Sequence, residues 1–136
     1  MSTDPASAPR RSFASSCIRA GAALMLLGVV LGAFGAHALQ QALTSKQLAS
    51  YQTGVLYQQL HALALVLVGT IALLTPPTRW LSLAATLFGA GILLFSGSIY
   101  ALTFGAPRWL GMVAPLGGSS FMLGWLALAL HASRTR

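Results

Sequence analysis

Two histidines set in apolar sequence are the residues of this chain best placed to do chemistry. His37 lies in the stretch Gly-Ala-Phe-Gly-Ala-His-Ala-Leu, Gly32 to Leu39, and His61 in Tyr-Gln-Gln-Leu-His-Ala-Leu, Tyr57 to Leu63. An imidazole in hydrocarbon can ligate a metal or haem, relay a proton, or tie two helices together. Tyr57, Gln58 and His61 fall in one sector of a helix. Ser96, Tyr100 and Thr103 share a face further on, and Gly117, Ser120 and Gly124 share another. Polar side chains in hydrocarbon must find partners. His37, Tyr57, Gln58, His61, Ser96, Tyr100, Thr103 and Ser120 are therefore expected to form one cluster. A neutral imidazole needs one donor and one acceptor partner, which the tyrosines, Gln58 and the serines of Ser96 to Ser98 can supply. Direct contact between His37 and His61 across the first two helices is compatible with their depths.

Composition removes most reactions. Hydrophobic residues make up 56% of the chain and charged residues 7%, against about 25% charged in a soluble domain. So few charges could not cover a soluble surface, and a bilayer is the expected solvent. The only acidic residue is Asp4, so paired-carboxylate hydrolysis and carboxylate-supported triads are excluded. Cys17 is the single cysteine, and no cysteine–histidine metal spacing exists. No catalytic residue, no metal and no cofactor is expected. A bis-histidine haem between His37 and His61 would need more signature than two histidines. The net charge is +7, but the eight basic residues lie at chain ends and in short gaps. That distribution suits a membrane protein and not a nucleic-acid partner.

The elements that position these residues follow from length and punctuation. Residues 1–17 read as a disordered polar tail. Residues 18–132 read as a four-span membrane domain, and 133–136 as a basic C-terminal tail. Spans are expected at about 18–39, 53–74, 80–104 and 109–130. Thr44 and Gln47 make a capping-box pattern at the start of the second helix. Pro76-Pro77 stops that helix, and Thr78 can cap the third. Gly105 and Pro107 end the third helix, and Pro115 is expected to kink the fourth.

Four spans return both termini to one side. Arg10, Arg11, Arg19, Arg79, Arg134 and Arg136 then face Lys46 and Arg108 across the membrane, which predicts cytoplasmic termini. Trp80 and Trp125 fall near the inner interface and Trp109 near the outer. The polar cluster falls in the outer half, as a pocket opening outward. His131, at the inner end of the fourth helix, reads as a C-terminal capping residue. Arg10-Arg11-Ser12-Phe13 also resembles a twin-arginine export signal, with Ala36-His37-Ala38 as a cleavage site. The length of the first apolar run and the spans after it weigh against cleavage.

Gly21, Gly28, Gly32 and Gly35 lie on one helical face, and Gly28 to Gly32 is a GxxxG step. Small residues let helices approach closely in lipid, and packing within the bundle is preferred here over self-dimerisation. Gly97, Gly117, Gly118 and Gly124 are given the same packing role. At about 100° per residue His37 points away from the glycine stripe, so the two cannot both face inward.

Five segments taken together carry a resemblance. They are GAFGAHAL at Gly32 to Leu39, YQQLHAL at Tyr57 to Leu63, LFSGSIY at Leu94 to Tyr100, PLGG at Pro115 to Gly118, and Gly124-Trp125. The chain resembles the domain-of-unknown-function family 423, also called uncharacterised protein family 0382, whose eukaryotic relative is transmembrane protein 256. The resemblance runs from about residue 20 to 130. It implies an integral membrane protein of the bacterial inner-membrane type. It brings no activity with it, so no residue inherits a catalytic role, and it adds weight against cleavage near His37.

The expected fold is all-α, a four-helix transmembrane bundle, multi-pass in the cell inner membrane, with both termini cytoplasmic. The expected function is that of a non-enzymatic accessory or partner-binding bundle. The alternative is a small transporter or channel component that binds a solute, lipid or proton at the polar cluster. Membrane lipids, a membrane-protein partner and self-association are the contacts anticipated.

Overall fold

The computed structural model of the chain describes residues 7–134, and expectations that fall on residues 1–6 and 135–136 lie outside them. Helix α1 runs Ser7–His37 and α2 runs Ser45–Leu74. The third span is composite. Helix α3, Arg79–Gly91, passes into a π-helical turn, Ile92–Ser96, and then into α4, Gly97–Thr103. A 3₁₀ segment, Arg108–Met112, leads into α5, Ala114–Arg134. Among the described residues there is no strand. Four stretches are long and apolar enough to cross a membrane: Ala8–His37, Ser45–Leu74, Arg79–Thr103 and Arg108–Arg134.

Local chemistry sets the boundaries. The hydroxyl of Thr44 accepts the Gln47 N–H at 3.3 Å, and the Gln47 side chain accepts the Thr44 N–H at 3.0 Å. The two together are a capping box. Pro76 and Pro77 follow α2, and Thr78 Oγ1 accepts the N–H of Leu81 to open α3. Gly105, at φ 91°, turns the chain out of the third span, a conformation that side chains with a Cβ rarely adopt.

Two expectations are corrected by these boundaries. Helix α1 begins at Ser7, not at Ile18, so the segment expected to be a disordered tail is helical from residue 7 onward. Ala14 and Cys17 are buried, with Phe13 packed against the same core. Arg10 Nε donates to the carbonyl of Ala72 at 2.8 Å, and its terminal nitrogen donates to Leu73. Those carbonyls belong to the last turn of α2, where no helical N–H follows to bond them. The extension is therefore held by a buried stripe and by a guanidinium capping α2. Pro115 does not kink a helix either. It lies in the first turn of α5, where its missing N–H has no partner to lose.

Helix α1 lies along α2 and α3 lies along α5, while α2 meets α3, the π-helical turn and α4. The larger core contains Leu65, Val68, Leu81, Phe88, Ile92 and Phe121, with Ala14 and Cys17 reaching it from α1. A smaller one joins Leu39, Tyr51 and Val55 at the far end of the bundle, away from the chain termini.

The α1–α2 seam is built on backbone approach. A Cβ added to Gly21 would stand 2.6 Å from the Ala62 carbonyl oxygen, and one on Gly69 would stand 2.8 Å from that of Ala14. Only glycine permits these distances, so the stripe on α1 faces α2.

Candidate functional site

The polar residues of the spans divide into two interior groups and one at the terminal end. The first group lies between α1, α2 and the third span. Gln58 is 2% exposed. Its Nε2 donates to the Leu24 carbonyl at 2.8 Å, and its Oε1 accepts the Tyr100 hydroxyl at 2.8 Å. Tyr51 donates its hydroxyl to the Leu31 carbonyl at 2.8 Å, and its ring lies 5.4 Å from that of Tyr100. Ser96, presented by the π-helical turn, donates to the Gly54 carbonyl at 2.7 Å. Ser120 does the same to Leu87 at 2.7 Å, joining α5 to α3. Helical carbonyls retain a second lone pair, so these bonds tie helices together without breaking their ladders.

The second group surrounds His61. Its Nδ1 stands 2.7 Å from the Tyr57 carbonyl oxygen, and its Nε2 lies 3.2 Å from Trp125 Nε1. A carbonyl can only accept and an indole N–H can only donate. The ring is therefore neutral, protonated at Nδ1 and accepting at Nε2. Phe121 stacks on it at 3.5 Å between centroids and 11° between planes. Tyr57 and Phe88 stand at 5.9 and 5.7 Å.

Beside this ring the bundle is open. A lateral cleft of about 510 Å³ lies between α2 and α5, lined by Leu60, Leu63, Leu67, Thr70 and Trp125, with His61 on its wall. Thr70 turns its hydroxyl onto the Val66 carbonyl at 2.9 Å. The cleft is apolar apart from the edge of the His61–Trp125 pair.

Several expected site residues stand elsewhere. His37 is exposed at the end of α1 and joins neither group. The cause is the glycine stripe: Gly21, Gly28, Gly32 and Gly35 turn toward α2, which sends His37 to the opposite side. No bis-histidine arrangement forms, since Trp125 and the Tyr57 carbonyl take both nitrogens of His61. Thr103 bonds the Ile99 carbonyl of its own helix at 2.9 Å. It lines a separate cavity of about 350 Å³ at the far mouth, with Lys46, Gln47, Ser50 and Thr53. Tyr57 is 38% exposed and lies over the aromatic group. The single outward pocket thus resolves into a closed network, a sideways cleft and a small mouth.

The glycines sort by what a Cβ would meet. On Gly28 it would lie 2.8 Å from Gln59, on Gly35 2.6 Å from Tyr51, and on Gly32 3.4 Å from Val55. On Gly117 it would lie 2.3 Å from the Phe95 backbone nitrogen, and on Gly124 2.7 Å from Phe88. Gly118 reaches only Phe95, at 4.0 Å, and a Cβ on Gly97 meets nothing within 4 Å. Gly97 is not a packing glycine, because it follows the π-helical turn on an open side.

The terminal end carries polar contacts that sequence reasoning placed only loosely. His131 is 2% exposed. Its Nδ1 lies 2.8 Å from the Thr78 hydroxyl and its Nε2 3.4 Å from that of Thr75. It locks α5 to the loop between α2 and α3. Trp125 was expected at the inner interface, yet it sits mid-helix against His61. The signal for it was the small-residue face Gly117, Ser120, Gly124, which points the adjacent indole sideways onto α2.

Among the described residues no group of three histidine, cysteine or acidic side chains could hold a metal ion. The cleft can bind apolar side chains or acyl chains; the polar atoms on its wall are engaged within the bundle.

The family model described as a protein of unknown function, DUF423, matches residues 31–118. A UPF0382 membrane protein of Haemophilus influenzae is 41% identical over 108 residues, covering 79% of this chain and 86% of that one. The UPF0382 membrane protein YwdK of Bacillus subtilis is 41% identical over 112 residues, covering 82% and 91%. The UPF0382 inner membrane protein YgdD of Escherichia coli is 36% identical over 108 residues, covering 79% and 82%. No solved structure matches the chain.

Proposed function

The chain belongs to the DUF423 family, the UPF0382 membrane proteins, and on that footing we propose that it is a non-enzymatic, partner-binding subunit of a membrane assembly. It is a multi-pass protein of the cell inner membrane, with four apolar helices. The observation that carries the proposal is the cleft of about 510 Å³ between α2 and α5. It opens sideways, toward the hydrocarbon, where another transmembrane helix can insert side chains. The polar groups that a solute site would use are instead paired within the bundle. Charge asymmetry supports cytoplasmic termini, with Lys46 and Arg108 outside.

Purification from membranes in mild detergent, with stoichiometry by mass spectrometry, tests the reading. A partner of fixed stoichiometry, lost when Leu63 and Leu67 are both changed to tryptophan to fill the cleft, is the expected result. Purification alone at full yield, unchanged by those substitutions, would reject it. The second reading, a solute-binding component, draws on the far-mouth cavity with Lys46, Ser50, Thr53 and Thr103. Solute flux in liposomes holding this chain alone would favour that reading.

A further inference from the structure

The terminal end holds a corner that the cleft does not use. Trp80 stands in the first turn of α3, and two guanidiniums converge on its indole. Cζ of Arg79 lies 5.1 Å from the ring centroid, and Cζ of Arg134, at the end of α5, lies 5.6 Å from it. Both arginines are exposed. The chain's one acidic residue is Asp4, so among the described residues neither guanidinium has a carboxylate to pair with. The indole Nε1–H is shielded and has no hydrogen-bond acceptor among the described residues. The neighbouring polar groups are otherwise engaged. Arg10 caps the carbonyls of Ala72 and Leu73, and His131 bonds Thr75 and Thr78. Among the described residues the corner therefore collects guanidinium donors and positive charge and supplies no anion to pair with them.

Its position says which acceptor suits it. Tryptophan at the start of a span sits at headgroup level, where phosphodiesters are the abundant anions. The planar guanidinium fork matches phosphate oxygens, and stacking on an aromatic face holds the fork in place. The first turn of α3 adds the positive end of a helix of 13 residues. We infer that Arg79, Arg134 and Trp80 form a binding site for the phosphodiester headgroup of an anionic phospholipid, in the leaflet nearest the chain termini. The anion relieves repulsion between two guanidiniums gathered on one ring. The site is remote from the cleft and stands whether or not a protein partner occupies that cleft.

Native mass spectrometry of the full chain in mild detergent tests it. Phosphatidylglycerol and phosphatidylcholine with the same acyl chains are added in equal amounts. The expected preference for phosphatidylglycerol is roughly tenfold. It disappears in Arg79→Gln/Arg134→Gln and persists in the charge-matched control Arg19→Gln/Arg108→Gln. Arg79→Lys/Arg134→Lys keeps the charge, loses the fork, and should lower the preference even if the glutamine variant folds poorly. Equal retention of the two lipids by the unaltered chain would overturn the inference. So would an equal loss in the control, a preference unchanged in the lysine variant, or displacement of the lipid by inorganic phosphate.

Discussion

Two faces of helix α2, toward α1 and toward α5, are built differently. Toward α1 it meets glycine, and the two backbones approach until a single methyl would collide, as at Gly21 and Gly69. Toward α5 it meets rings: His61, Phe121 and Trp125 span the gap, and beside them the cleft remains. A glycine seam has no room to rearrange. An aromatic seam bridged by one long hydrogen bond leaves apolar surface uncovered. The first face is a joint of the fold, and the second is the face proposed to receive an external helix.

That contrast predicts a ranking of substitutions, read as thermal unfolding in detergent. Gly21→Ala and Gly69→Ala should cost most, about 3 kcal/mol each, because the added methyl meets backbone atoms of the facing helix that cannot swing aside. Gly97→Ala is the control, since its methyl enters open space. It should leave stability unchanged or raise it by up to about 1 kcal/mol. If all three behave alike, the glycine seam is not the joint described.

Removal of residues 1–16 deletes the Arg10 cap and the packing of Phe13 and Ala14. It should lower stability by about 2 kcal/mol, and an unaffected melting curve would show that the α1 extension contributes nothing. Gln58→Leu strands the Tyr100 hydroxyl and removes the tie to Leu24. Its expected cost is about 1–3 kcal/mol, with Tyr100→Phe recovering part of the loss in the double variant. On the cleft side the effects should be smaller. Trp125→Phe removes the donor to His61 and should cost only about 0.6 kcal/mol, the usual worth of an interhelical bond in a membrane. A loss as large as that of Gln58→Leu would erase the distinction between the two faces.

Much of the architecture was legible in the sequence because the bilayer writes it in long apolar runs. The Thr44–Gln47 box, Pro76-Pro77 and Thr78 mark the helix ends by local chemistry that tertiary structure did not override. The N-terminal extension was missed for a reason that is visible afterwards. Its composition is polar, yet Arg10, Phe13, Ala14, Cys17, Ile18 and Gly21 fall on one helical stripe. Composition hid a periodicity. The histidines show the opposite limit. Depth along the membrane can be counted in residues, and His37 and His61 are compatible in depth. Azimuth is decided by which face packs, and the glycines took that face on α1. The partner of His61 came from α5, more than sixty residues away, and no spacing rule reaches that far. Arg79 and Arg134 met on Trp80 in the same way.

The proposed function requires that a partner helix be received by the α2–α5 cleft and not by the outer surface of α1. Photo-crosslinking in intact membranes tests it most directly, with the probe placed at Leu63 in the cleft or at Leu26 on α1, which are 57% and 67% exposed. The expected result is a discrete protein adduct from position 63 and only lipid adducts from position 26. Lipid adducts alone from both positions, or the same protein adduct from both, would contradict it.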